Sequence, residues 1–462
     1  MALTIAQHPL YTLNTVGQDV IFTAIDATVV STNFNVKYIA EVHIGTNTIN
    51  LATSTDLVGT FKTTPNNAGA GMYDFRPIVE SFVSADNLAP STSEFKGVSY
   101  NNIPTHIIDK YSLNQNTVRY LKIRFKIEGA ATAGGEVLVL DTEDSDQYTL
   151  FNGYLKRTDI LDLTGVNFGY DTTRFYLNPV VPPGNWLTNA PTTQYANLSD
   201  YGTLSMYSDD IGGTADLVKI SINYYDSTGV LLGVEDVNNT DANGGFTTYG
   251  TTTDKQVMYF GCFPANLRNW STAFQALVTA GTIQGGYYQI RPNNINYILL
   301  DTITINVNCS TLKGYEPIRL AWLNQWGAWD YYTFTMKSVK TTSTKGSTYQ
   351  QIEGTWNEST YQVNGFKGGK KSFRVNATEK ISMNTDFVSE AESEWFEDLI
   401  NSPEVYILDG YQSQAANPAL NQYATPVRLT TSSYTKKTVA NDKLMQYTFE
   451  VEKSKTLRTQ SV

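Results

Sequence analysis

The sequence predicts a mainly β protein: several antiparallel β-sandwich or barrel-like domains with two or so short helices. Three observations predict it. Apolar and polar residues alternate along many short runs. The composition is that of strands and turns. Helical spacing of apolar residues surfaces in two places.

The alternation is clearest in five runs. Val36, Tyr38, Ala40, Val42 and Ile44 share one face, which leaves His43 on the polar side. Leu121, Ile123, Phe125 and Ile127 alternate with Lys122, Arg124 and Lys126. Val218, Ile220, Ile222 and Tyr224 form a third stripe, Ile303, Ile305 and Val307 a fourth, and Tyr447, Phe449 and Val451 a fifth. A period of two places one set of side chains against a core and the other in water, as in antiparallel sheets covered on one side. Asp226-Ser227-Thr228-Gly229 joins two such runs and reads as a hairpin turn.

Composition agrees. Of 462 residues, 41% are hydrophobic and 17% charged, with 30 Tyr and 33 Gly. A typical soluble protein is about 25% charged. β-branched and aromatic residues fit pleated sheets, and Asn, Asp and Gly fit turns. Tyr-rich, Lys- and Glu-poor surfaces also characterise protein–protein contacts.

Two segments read as helices. Across Pro264–Ala280, Leu267, Trp270, Phe274 and Leu277 form one stripe that Gly281 ends. Across 389–400, Ser389 and Glu392 have capping-box spacing, Ala391, Trp395 and Leu399 share a face, and Pro403 closes the segment.

Three domains are expected: an N-terminal β domain over 1–178, a middle β domain over 185–310 containing the helix 264–280, and a C-terminal β domain over 311–462 containing the helix 389–400. The proline-rich stretch Pro179–Gly184 and the segment Thr311–Pro317 mark the divisions. The Gly- and Asn-rich stretch Asn238–Gly245 reads as a long loop tip, and no regular repeat is present.

Charge narrows the function. The chain carries a net −11; residues 1–310 hold 16 basic and 28 acidic groups, residues 311–462 hold 17 and 16. An acidic body lacks the clustered Lys and Arg that phosphate contacts need, so direct nucleic-acid binding is not expected. No 18-residue apolar stretch occurs, so no membrane span is expected. The first basic residue is Lys37, and no secretory leader is read. Cys262 and Cys309 read as small buried hydrophobes, with a single bridge between them as the alternative.

Catalytic signals are weak. His8, His43 and His106 stand far apart, and neither HExxH nor GxSxG occurs. Asn364–Ser372 fails the phosphate-loop pattern at its first glycine and again where Lys371 replaces the hydroxyl residue. The stretch therefore reads as a solvated basic loop. Asp141, Glu143, Asp144 and Asp146 follow the apolar run Val137–Leu140. Calcium near Asp141, Asp144 and Asp146 is the weak cofactor possibility, against a solvated turn. No catalytic, cofactor-binding or metal-ligating residue is assigned, and no enzyme activity is expected.

The densest feature is aromatic: Trp322, Trp326, Trp329, Tyr331, Tyr332 and Phe334 lie within thirteen residues. Aromatics bury large areas and dominate interfaces. Domain core, interface anchor and sugar-stacking platform are three open readings.

Tyr73-Asp74-Phe75-Arg76-Pro77-Ile78-Val79-Glu80-Ser81-Phe82 resembles a segment of structural proteins from phages of Bacteroidota hosts, crAss-like phages among them. The run Ile318–Phe334, Glu392-Ser393-Glu394-Trp395, Ser402–Leu408, Ser433–Thr438 and Asn441–Leu444 are similar to the same proteins. The resemblance implies a virion component of tail or baseplate type, made in the host cytoplasm. It would contact copies of itself in a ring and other virion proteins. Its motifs are structural, so no active-site residue carries over, and about residues 185–300 lie outside it. A receptor- or glycan-binding tip, or a capsid-bound fibre, is the alternative role.

Overall fold

Whether a sheet face is wet or dry follows from the alternating side chains, and in Val118–Ala130, Tyr287–Asn293 and Ile303–Val307 it does so almost residue by residue. The computed structural model describes residues 2–84, 111–114, 117–155, 161–164, 167–177, 183–208, 217–238, 256–294, 297–308, 314–355, 360–363, 365–411, 424–435, 445–455 and 457–458. The protein is mainly β, with six sheets and five short α-helices among the described residues, and none of these sheets closes into a barrel. No described helix is long and apolar enough to cross a membrane. Two compact units emerge: residues 1–310 with 323–330 and 410–423, and residues 311–322 with 331–409 and 424–462.

The first unit contains a β-sandwich. The strands Thr4–Gln7, Ile21–Ile25 and Ala70–Asp74 form one sheet. The second has the order Leu13–Thr15, Tyr148–Phe151, Val118–Ala130, Phe34–Gly45 and Leu57–Thr63, and Leu138–Asp144 also pairs with Val118–Ala130. Phe22 and Ala24 from the first sheet share a core with Tyr38, Ala40, Val42, Leu121, Ile123 and Phe125 from the second. Phe22 meets Tyr148 edge-on at 5.3 Å. Tyr38 fixes one corner: its hydroxyl donates to the Gly69 carbonyl at 2.8 Å and accepts from Asp26 N–H at 2.9 Å. A Cβ on Gly71 would lie 2.5 Å from the Tyr38 ring, so glycine is what lets the strand cross that ring. His43, expected on the polar side, is buried, because neighbouring elements cover both faces of this central strand.

A five-stranded sheet follows, ordered Thr193–Ala196, Ile303–Val307, Tyr287–Asn293, Lys219–Tyr225 and Leu231–Asn238. Its first pair is parallel and the rest antiparallel. Asp226 Oδ1 accepts from Thr228 and Val230 N–H, and Gly229 adopts φ 86°, which makes the expected hairpin turn. Val218 precedes the strand and is exposed. The expected helix 264–280 is two helices, Pro264–Trp270 and Thr272–Ala280. Ser271 breaks it: its backbone is extended, its hydroxyl caps Phe274 N–H, and it donates to Glu235 Oε2. Phe274 then packs on Tyr224 and Tyr288.

Backbone pairing crosses the expected division near residue 178. The strand Tyr111–Asn114 extends the sheet made by Thr203–Ser208 and Gln256–Gly261.

The second unit is built on an eight-stranded sheet, ordered Trp329–Phe334, Ile318–Leu323, Val405–Leu408, Ala424–Leu429, Thr448–Lys453, Gly369–Asn384 and Ser338–Gln351, with Leu457–Arg458 also on Gly369–Asn384. The helix Glu390–Asn401 carries the predicted capping box: Ser389 N–H donates to Glu392 Oε2 at 2.7 Å and Glu392 N–H donates to Ser389 Oγ at 3.3 Å. Trp395, Phe396 and Leu399 are its buried stripe, while Ala391 is exposed. Phe396 lies 4.9 Å from Tyr332 and 5.4 Å from Phe449.

Replacing Ser389 by Ala removes one half of the capping box and leaves the sheet intact. It is expected to destabilise the protein by about 1 kcal/mol in chemical denaturation; no measurable change would show that sheet packing alone holds this helix.

Candidate functional site

The six clustered aromatics divide between the two units; five are buried and Tyr332 is half-buried. In the first unit, the turn Asn324–Ala328 is tied by Asn324 Oδ1, which accepts from Trp326 and Ala328 N–H at 3.0 Å each. Gly327 has φ 72°, and a Cβ there would strike the Asn152 carbonyl oxygen, so no other residue fits. Trp326 packs tilted against Phe175 at 4.5 Å, donates from Nε1 to Asn189 Oδ1 at 2.9 Å, and is 2% exposed. Trp329 is buried in the same way. In the second unit, Trp322 meets Trp395 at 5.0 Å, Tyr332 meets Phe334 at 5.0 Å, and Phe334 meets Phe449 at 5.8 Å. Tyr331 is buried under Arg319, whose guanidinium lies 5.4 Å from its ring. Burial pushes the half-buried Tyr332 hydroxyl above its ordinary range, so it stays protonated. Within this chain these side chains pack as core.

The acidic run 141–146 gathers around a cleft of about 320 Å³ whose walls include His8, Glu143, Asp144, Asp146 and Tyr148. Asp144 faces Arg124 in a two-pronged contact at 2.7 and 3.0 Å. That hydrogen bond holds its carboxyl below the usual carboxylate range. Asp141 Oδ2 instead accepts from Leu3 N–H at 2.7 Å. Two of the three carboxylates named for calcium, Asp141 and Asp144, thus meet different partners. Among the described residues, no group of three His, Cys, Asp or Glu side chains converges as a metal site would require. His8 Nδ1 lies 3.0 Å from the Tyr148 hydroxyl. His43 Nδ1 lies 3.3 Å from Ser54 Oγ, and burial lowers its pKa. Cys262 is buried. His106, Cys309, Asn364 and residues 179–182, 239–245, 311–313, 436–438 and 441–444 lie outside the described residues.

Exposed apolar residues are spread over the described chain, Leu57, Phe61, Leu231 and Val234 on two other edge strands among them, and two places that sequence reasoning did not mark as surface stand out. Ser338–Gln351 and Gly369–Asn384 pair along their length as an antiparallel hairpin, hereafter the arm. From Val339 to Thr348 the outer strand is exposed at every residue, so both faces meet water. The expected basic loop is partly this strand, because Gly369–Ser372 lie in the ladder. Near the arm's tip Phe366 is 73% exposed, and Ile352 and Phe373 are also exposed. The second place is Val137–Leu140, all four exposed, which runs into the strand Leu138–Asp144. Its outward edge has no strand beyond it among the described residues. The signals were present: an unbroken apolar run, and a Thr- and Ser-rich run without an apolar stripe.

No protein-family model matches the chain, and no curated protein matches it. Among solved structures it is compared with native E. coli alpha-2-macroglobulin seen by cryo-electron microscopy, at TM-score 0.15 and 9% identity over 100% of this chain and 34% of that one. A crystal structure of a Salmonella alpha-2-macroglobulin point mutant gives TM-score 0.14 and 8% identity over 100% and 34%. The chain spans about a third of the length of those structures, and likenesses this slight indicate no shared fold.

Truncating Trp326 to Ala should cost about 3–5 kcal/mol, the cost of emptying a packed aromatic site. Urea unfolding measures it, and a change within about 0.5 kcal/mol would instead mark a surface position. The Arg124–Asp144 pair is partly exposed, so solvent screening limits it to about 1 kcal/mol or less. Because Asp144 titrates lower in the folded chain than in the unfolded one, its contribution is present above the ordinary carboxylate pKa and fades as acid protonates it. Asp144→Asn should therefore destabilise at neutral pH, with the gap to wild type closing in strong acid; a gap constant with pH would contradict the pairing.

Proposed function

We propose that the chain is a non-enzymatic structural subunit of a bacteriophage particle, a tail or baseplate component that acts by binding copies of itself and its neighbours. The observation that carries this is the arm. Its base is braced by Thr448–Lys453 and Leu457–Arg458, but residues 369–375 of the inner strand pair only with the outer one among the described residues; a two-stranded stretch is marginal in water, and a long open edge strand invites pairing. At about 3.4 Å per residue the 14-residue outer strand reaches roughly 45 Å. With an apolar tip on a strand wet on both sides, such an element gains its cover from another chain. Obligate assemblies bury roughly 2,000 Å² or more and recruit aromatic and apolar groups for it. The low charge and high tyrosine content suit that use, and the resemblance of residues 73–82, 318–334, 392–395, 402–408, 433–438 and 441–444 to phage structural proteins supports it independently.

An antibody against the whole chain provides the test. Immunogold labelling of purified phage particles should decorate the tail or its base. Label on host cells with bare particles would overturn the reading, and label at a distal fibre tip with binding to host glycans would replace it by the receptor-binding role.

A further inference from the structure

We infer that the arm of one copy docks on the strand Leu138–Asp144 of a second copy, a contact that rests on the self-assembly proposed above and names its surfaces. The two sites are chemically matched. Each is an open sheet edge, with backbone N–H and C=O groups turned outward and no described strand beyond. Each carries exposed apolar side chains beside that edge: Ile352, Phe366 and Phe373 on the arm, and Leu138 (54% exposed) and Val139 (53%) on the strand. Four consecutive exposed apolar residues are a liability on a free monomer and serve as an anchor in a complex.

Charge selects the occupant. Residues 341–376 of the arm hold five basic groups, Lys345, Lys367, Lys370, Lys371 and Arg374, against two acidic ones. Residues 136–146 hold five acidic groups and no basic one. Asp144 is engaged by Arg124, which leaves exposed Glu136, Glu143 and Asp146 to face a cationic partner. Opposite potentials steer encounter and set register, while like surfaces repel, so neither site suits a second copy of itself. The contact is therefore heterologous. One arm fills one edge, every copy offers both, and repetition generates a ring when the rotation closes. Pairing of an added strand to an open edge supplies main-chain hydrogen bonds, and the apolar and charged side chains supply selectivity.

Sedimentation velocity of the full chain at several concentrations tests this, with two variants confined to exposed side chains. One is Lys370→Glu with Arg374→Glu on the arm; the other is Leu138→Lys with Val139→Lys on the edge strand. Both should keep the wild-type melting temperature. Wild type should form larger species as concentration rises, and less readily as salt increases from about 0.1 to 1 M. Each variant should associate at least about tenfold more weakly. An equal mixture of the two should form a dimer and stop there, since only one intact arm and one intact edge remain to meet. Wild-type-like assembly by either variant alone would overturn the docking and leave self-assembly standing. A wild-type chain that stays monomeric would also overturn the docking, and immunogold label on the particle would then show whether the virion role survives with a different partner.

Discussion

Every open β-sheet ends in a row of unpaired backbone groups, and the way this chain treats its edges governs its architecture. Sheets that close into barrels have no edges; none of the described sheets closes. Some edges are short: Leu13–Thr15 and Trp329–Phe334 end their sheets with three and six residues. One sheet is extended by a distant segment, Tyr111–Asn114. Two open edges stand out, one for its length and the other for its exposed apolar residues. They are the longest outer strand, Ser338–Gln351, and the strand Leu138–Asp144. Their opposite charge makes them complements, and in the assembly we propose the liability of one subunit is covered by the next.

The aromatic-rich segment has a different task. Trp322, Tyr331 and Phe334 form, with Trp395, Phe396 and Phe449, the interior that binds the helix Glu390–Asn401 to its sheet. Trp326 anchors a turn whose geometry depends on Asn324 and Gly327. The motif that looks most like a binding signature is thus a folding signature. Rigid interiors of this kind are what lets an exposed element be held out in a fixed direction.

Much of the fold was legible in the sequence. The stripes Leu121–Ile127 and Ile303–Val307, the turn at Asp226–Gly229 and the capping box at Ser389 all depend on neighbours close along the chain, which periodicity and spacing report. The failures share a cause. His43 is buried by elements that cover the second face of its strand; Ser271 breaks a helix because Glu235, distant in sequence, accepts its hydroxyl. Tyr111–Asn114 joins a sheet whose other strands lie beyond residue 200. Aromatic clustering does not distinguish core from interface, because both bury the same chemistry. The arm escaped notice because Thr and Ser encode a strand without an apolar face, and the usual alternation is absent from a strand wet on both sides.

Hydrogen–deuterium exchange on the full chain, compared between dilute and concentrated samples, tests the account most directly. Edge pairing predicts that amide protection rises with concentration in two stretches, 338–351 and 137–144, while the sandwich core stays unchanged. Assembly that proceeds with both stretches exchanging as fast as in the dilute sample would contradict it.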